Sequence, residues 1–128
     1  MANVLVLLTC DGNMVSSNGV RWPKSGYVSA PDWDPEPVCG GGLHGLLRGE
    51  GDHDLLDMRH DANWLVCSVD PVRIVNLNGK VKFPECEVVH VGDIKSAANY
   101  IHSSLGYPRN YNPAVGGRAD SGESGRSV

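Results

Sequence analysis

Pro31, Pro35 and Pro37, followed at once by Gly40-Gly41-Gly42, do more than any other feature to limit what this chain can become. Proline donates nothing to a ladder and breaks helices, so the arm APDWDPEPVCGGG cannot belong to regular structure. Regular elements must therefore lie before Pro31 or after Gly42. The arm between them is expected to be irregular, polyproline-like and pinned by Trp33.

Before the arm, Val4 to Thr9 is a run of β-branched residues and leucines closed by Asp11-Gly12-Asn13, the pattern of a central strand and a turn. Met14 to Ser17 reads as a short edge piece, turned by Asn18-Gly19 into Val20-Arg21-Trp22 as an opening meander. Gly26 to Ala30 alternates as a further strand. After the arm, Leu43, Leu46 and Leu47 fall at i, i+3 and i+4, which predicts a short helix starting near Gly42 and broken by Gly49-Glu50-Gly51.

Asp52 to Asp61 reads as a turn or a single helical turn. Trp64 to Val69 is a buried strand, with Trp64 in the core. Val72 to Leu77 and Lys80 to Phe83 flank Asn78-Gly79 as a hairpin with a type I′ turn. Glu87 to Val91 gives one more strand. Asp93 caps a helix over Ile94 to Leu105, whose apolar stripe is Ile94, Ala97, Ala98, Ile101 and Leu105, with Gly106 at its C′ position. The fold class is α+β, a mostly antiparallel sheet with one short and one longer amphipathic helix. The domain spans residues 1–106, and residues 107–128 form a polar tail expected to be flexible.

At 128 residues the chain is long enough for one real core without disulfides or metal. Its 11 Lys+Arg against 15 Asp+Glu leave a net charge of -4 with no basic cluster, so no nucleic-acid partner is expected. The run at Val4 to Leu8 is too short to span a bilayer, and it lacks the flanks of a signal peptide. Cys10, Cys39, Cys67 and Cys86 form no C-x-x-C pair. The simplest expectation is a reduced, cytoplasmic protein, or one in a virion if phage-encoded.

The residues suggestive of chemistry gather around the end of the arm. Cys39, His44, His53 and His60 are candidate zinc ligands by type, but they lack the paired spacing of zinc modules, which favours a buried Cys and a hydrogen-bonded His instead. Cys39 is also a candidate nucleophile beside His44 and the predicted helix N-terminus. The glycine run matches no nucleotide-binding fingerprint, and Glu36, Glu50 and Asp52 oppose an anion there. Sharp turning and close approach to the sheet explain it better. Asp54, Asp57 and their acidic neighbours lack the order of a calcium loop. The expected contact surface is Trp33, Cys39, Gly41 and His44, with no metal or cofactor required.

Gly19-Val20-Arg21-Trp22-Pro23, Ala30-Pro31-Asp32-Trp33, Cys39 through Leu46, Asn63-Trp64-Leu65-Val66 and Gly79 through Pro84 together resemble an uncharacterised family of small bacterial and bacteriophage proteins. The resemblance covers roughly Gly19 to Ile101. In that family the module often precedes glycine-rich tandem repeats, which this sequence lacks. A more distant likeness of layout is to ADP-ribosyltransferase-like folds, where a Gly-Leu-His segment lies near the nicotinamide pocket. It implies NAD as cofactor, His44 beside the nicotinamide and Glu85 or Glu87 as the catalytic acid, although no early strand supplies the His or Arg that holds NAD. The leading expectation is a non-enzymatic binding or structural module of phage or bacterial origin acting on a protein partner. The alternative is an NAD-binding ADP-ribosyltransferase-like protein, active or degenerate.

Overall fold

Alternation along the strands sends side chains into two cores, one on each face of a single sheet. In β1 (Val4–Cys10), Val6, Leu8 and Cys10 enter one core and Leu7 the other. In β4 (Asn63–Val69), Leu65, Cys67 and Val69 join the first core, while Trp64 and Val66 join the second. The remaining strands are β2 (Gly26–Ser29), β3 (Leu43–Leu47), β5 (Val75–Asn76), β6 (Val81–Phe83) and β7 (Glu85–Gly92). One helix, α1 (Ile94–Ser104), follows β7, and 3-10 turns occupy His53–Leu55 and Pro71–Arg73. These elements come from a computed structural model that describes residues 3–17 and 19–104. The expected tail at 107–128, and Leu105 and Gly106 at the helix end, lie outside the described residues. No described helix is long and apolar enough to cross a membrane.

The sheet order is β2-β7-β4-β1-β3-β6-β5, with every neighbouring pair antiparallel. This is the expected α+β class with a mostly antiparallel sheet. β6 and β7 are joined by Pro84 alone, although β4, β1 and β3 stand between them in the order, so the sheet curls until its two sides meet on one bent strand. Proline suits the bend because it has no N–H to lose from the ladder. Its carbonyl still accepts from the Ala30 amide at 2.8 Å and carries the β2 pairing across the corner.

The concave side holds the first core, in which Phe83, Leu43, Leu65 and Cys67 are fully buried. A bulge keeps β7 in phase with it. Val66 pairs with His90 and Cys67 with Val88, so Val89 is the extra residue, and both Val88 and Val91 face inward. Trp22 and Trp64, each 3% exposed, plug the two cores.

On the convex side α1 lays Ala97, Ala98 and Ile101 over β4 and β7, which confirms the expected stripe as far as Ile101. The Asp93 carboxylate accepts from the Ser96 amide at 2.8 Å, and the Ser96 hydroxyl accepts from the Asp93 amide at 3.1 Å, a reciprocal cap. The Ser96 amide first, and its hydroxyl second, hold the Asp93 carboxyl below its ordinary range.

Two expectations change shape. The opening meander is reduced to a loop closed by one bridge, Val15 to Arg21, because the Asp11 carboxylate captures the Asn13 and Val15 amides at 2.8 and 3.0 Å and Met14 turns left-handed at φ 65°. The short helix expected from Gly42 is strand β3. Its leucines match a helical stripe equally well as a strand buried on both sides, with Leu43 and Leu47 facing the concave core and Leu46 the convex one. Long-range pairing to β1 and β6 decides between them.

The hairpin at Asn78-Gly79 is present. Both residues take positive φ, 60° and 106°, and Leu77 donates to the Lys80 carbonyl at 2.9 Å. Val72 falls in the 3-10 turn instead of the strand, because the Asp70 carboxylate accepts its amide at 3.0 Å.

Candidate functional site

Period-two alternation in β6 sends Val81 and Phe83 inward and Lys82 to the convex face, where it stands opposite His44 of β3. The Pro-rich arm folds over this face and buries Lys82 completely. The Lys82 ammonium donates to the Gly40 carbonyl at 2.9 Å and lies 5.7 Å from the centre of the Trp33 ring. A buried lysine with no carboxylate partner is costly, and the carbonyl and the ring face are what compensate it here.

The rest of the arm is tied down residue by residue. Trp33 rests on Gly42, where an added Cβ would come within 3.0 Å of ring carbons Cε3 and Cζ3. Asp34 donates its amide to the Gly41 carbonyl at 2.8 Å, and Gly41 itself holds φ 61° with the Asp34 side chain against it. Gly40 donates its amide to His44 Nε2 at 3.2 Å, so that nitrogen is an acceptor. Burial first, then the nearby Lys80 and Lys82, lower the His44 pKa, with Asp32 and the Gly42 backbone pulling the other way. His44 is therefore a neutral clasp. At the arm's end Lys80 Nζ donates to Cys39 Sγ at 3.1 Å, and this bond chiefly lowers the thiol's pKa.

Between the arm and the loop around Leu55 lies a cleft of about 240 Å³, with Cys39, His44 and Lys80 on one wall and Leu7, Leu46 and Leu55 among its apolar lining. The structure thus brings Trp33, Cys39, Gly41 and His44 into one strap. It does not add the other expected ligands. His53 Nε2 is engaged with the Gly49 carbonyl at 2.8 Å, and among the described residues no group of three or more His, Cys, Asp or Glu side chains stands close enough to hold a metal. Glu85 and Glu87 pair across to Ser29 and Tyr27 of β2, beyond the Pro84 corner from His44. Cys10, Cys67 and Cys86 are buried packing groups. Desolvation pushes the Cys10 thiol up to about 12, and a hydrogen bond with Cys86 together with burial pushes Cys67 up as well.

Lys80 and Lys82 went unnoticed as site residues. Their signal was present, since two lysines at i and i+2 beside a type I′ turn share one face of a strand. What the pattern lacked was any sign that a segment forty residues earlier covers that face.

If Lys82 and Trp33 are what hold the arm down, Lys82→Met loosens it at little cost. The substitution removes a buried charge along with its hydrogen bond, and stability is expected to stay within about 1 kcal/mol of the parent by urea titration. Trp22 and Trp64 are buried, so Trp33 alone becomes more accessible, and acrylamide quenching of tryptophan fluorescence rises. Unchanged quenching would remove Lys82 from this role.

The chain is 43% identical over 106 residues to a protein of Pseudomonas syringae, a match that covers 81% of this chain and 9% of that protein. The relatives are ice nucleation proteins. A second, InaU of Pantoea ananas, is 40% identical over 100 residues, covering 77% of this chain and 10% of the relative. The ice nucleation protein of Xanthomonas campestris pv. translucens is 36% identical over 104 residues, covering 80% and 7%. The chain spans about a tenth of the length of the ice nucleation proteins it matches. No family model and no solved structure matches.

These relatives overturn several expectations. The similarity is to named ice nucleation proteins of bacteria, in place of an uncharacterised bacteriophage family. Bacterial origin stands. The phage binding module and the ADP-ribosyltransferase alternative both give way, the latter because it rested only on a shared order of strands and loops. A cytoplasmic or virion location falls with them. It was inferred from unpaired cysteines, and three of the four are simply core side chains.

Proposed function

We propose that this chain is a folded unit of a bacterial ice nucleation protein and works at the cell surface, where such a protein meets the water it freezes. The observation that supports this most is 36–43% identity, over about 80% of the chain, to relatives that carry that name. Ordering an ice embryo calls for an extended, regular array of groups. Among the described residues the exposed sheet edges are β2 and β5, four and two residues long, on a strongly curled sheet. The unit therefore accompanies the ice-ordering surface and does not form it. Its partner in this reading is the remainder of such a polypeptide, and it needs no cofactor.

Droplet freezing of bacteria tests this. Cells carrying a full-length ice nucleation protein are compared with cells in which the matching segment is deleted or replaced by this chain. Replacement is expected to keep the freezing temperature and deletion to lower it toward that of cells without the protein. This chain expressed alone raises it by nothing measurable. A replacement that behaves like the deletion, or a deletion without effect, would overturn the assignment.

A further inference from the structure

We propose that Cys39 and Lys80 form a covalent redox pair in which dioxygen links their side chains through an S–O–N bridge, fastening the Pro-rich arm to the β5–β6 hairpin. Three observations carry it. The sulfur and the amine nitrogen already touch, at 3.1 Å, across 41 residues of sequence. Both line the open cleft, with Cys39 exposed and Lys80 half-exposed, so a small oxidant reaches them. Cys10, Cys67 and Cys86 are buried, and Lys82 is buried against the Gly40 carbonyl, so neither partner has a rival.

A thiol becomes oxidisable where it has thiolate character and access, and a lysine amine beside it supplies the first and a second nucleophile besides. In the reaction the S–H bond and one N–H bond break, and S–O and N–O bonds form. Sulfur and nitrogen each give up two electrons, and one dioxygen accepts all four. One of its oxygen atoms stays in the bridge and the other leaves as water with the two released hydrogens. Thiol reductants reverse the link by cleaving both the S–O and the N–O bonds: four thiols supply the four electrons and hydrogens, becoming two disulfides, and the bridging oxygen leaves as water.

The bridge would close the loop from Cys39 to Lys80, which runs through β3, β4 and β5, restricting the unfolded chain as a disulfide does. The test is incubation of the purified chain in air-saturated buffer, followed by intact-mass measurement and peptide mapping. A gain of one oxygen less two hydrogens is expected, on a peptide joining Cys39 to Lys80, with one free thiol of the four lost. Reductant restores both, and the bridged form melts roughly 5 °C or more above the reduced form. Lys80→Arg keeps the charge and the fold but cannot form the link, so its mass stays unchanged by this increment. No bridged peptide after oxidation, oxidation of Cys39 to sulfinic acid without Lys80, or the same adduct in Lys80→Arg would each overturn the proposal.

Discussion

Gly45→Val is expected to unfold the domain or to destabilise it by about 3 kcal/mol or more, the upper end of what overpacking costs. Gly45 lies in β3 beside β1, and an added Cβ there would collide with Val6 Cγ1 and approach the Leu7 carbonyl oxygen to 2.9 Å. Neither neighbour yields, because Val6 is fully buried in the concave core and the Leu7 carbonyl belongs to a central strand. Gly45→Ala should already show much of the loss in urea titration. Gly19→Ala is the control, since Gly19 holds a positive φ of 85° but an added Cβ there meets open space. Its cost should stay near 1 kcal/mol, from backbone conformation alone. Equal costs at the two positions would mean that β1 and β3 do not approach as described.

Phe83→Ala is expected to cost about 3–5 kcal/mol, a large share of the stability of a domain this size. Phe83 is the chain's single phenylalanine, is fully buried, and stands opposite Leu43 one residue before the Pro84 corner. Removing it empties the concave side where the sheet bends, and the Pro84 corner leaves that wall little freedom to collapse inward. Phe83→Leu keeps most of the volume and should lose no more than about 1.5 kcal/mol. Equilibrium unfolding of both variants checks the pair. A small cost for Phe83→Ala would place the ring outside the core.

The strand β4, the hairpin at Asn78-Gly79 and the capped helix α1 were legible because their signals are local. A period-two run, a pair of residues tolerant of positive φ and an acid before an apolar stripe each depend on neighbours within a few positions. β3 was misread because Leu43, Leu46 and Leu47 satisfy two periods at once, and only β1 and β6 on either side choose between them. The candidate site was half legible. Trp33, Cys39, Gly41 and His44 drew notice by type and position, while Lys80 and Lys82 looked like solvated strand lysines.

What the sequence determined by itself is the interruption at Pro31 to Gly42, the class of fold and the places where chain direction changes, since backbone sterics and side-chain period fix these locally. Only the tertiary structure decided that the arm doubles back over β6, that Lys82 is buried beneath Trp33, and that Cys39 meets Lys80. Those contacts join residues some forty to fifty positions apart. Their free energy comes from covering one face of a curled sheet, and no local pattern records which segment will cover it.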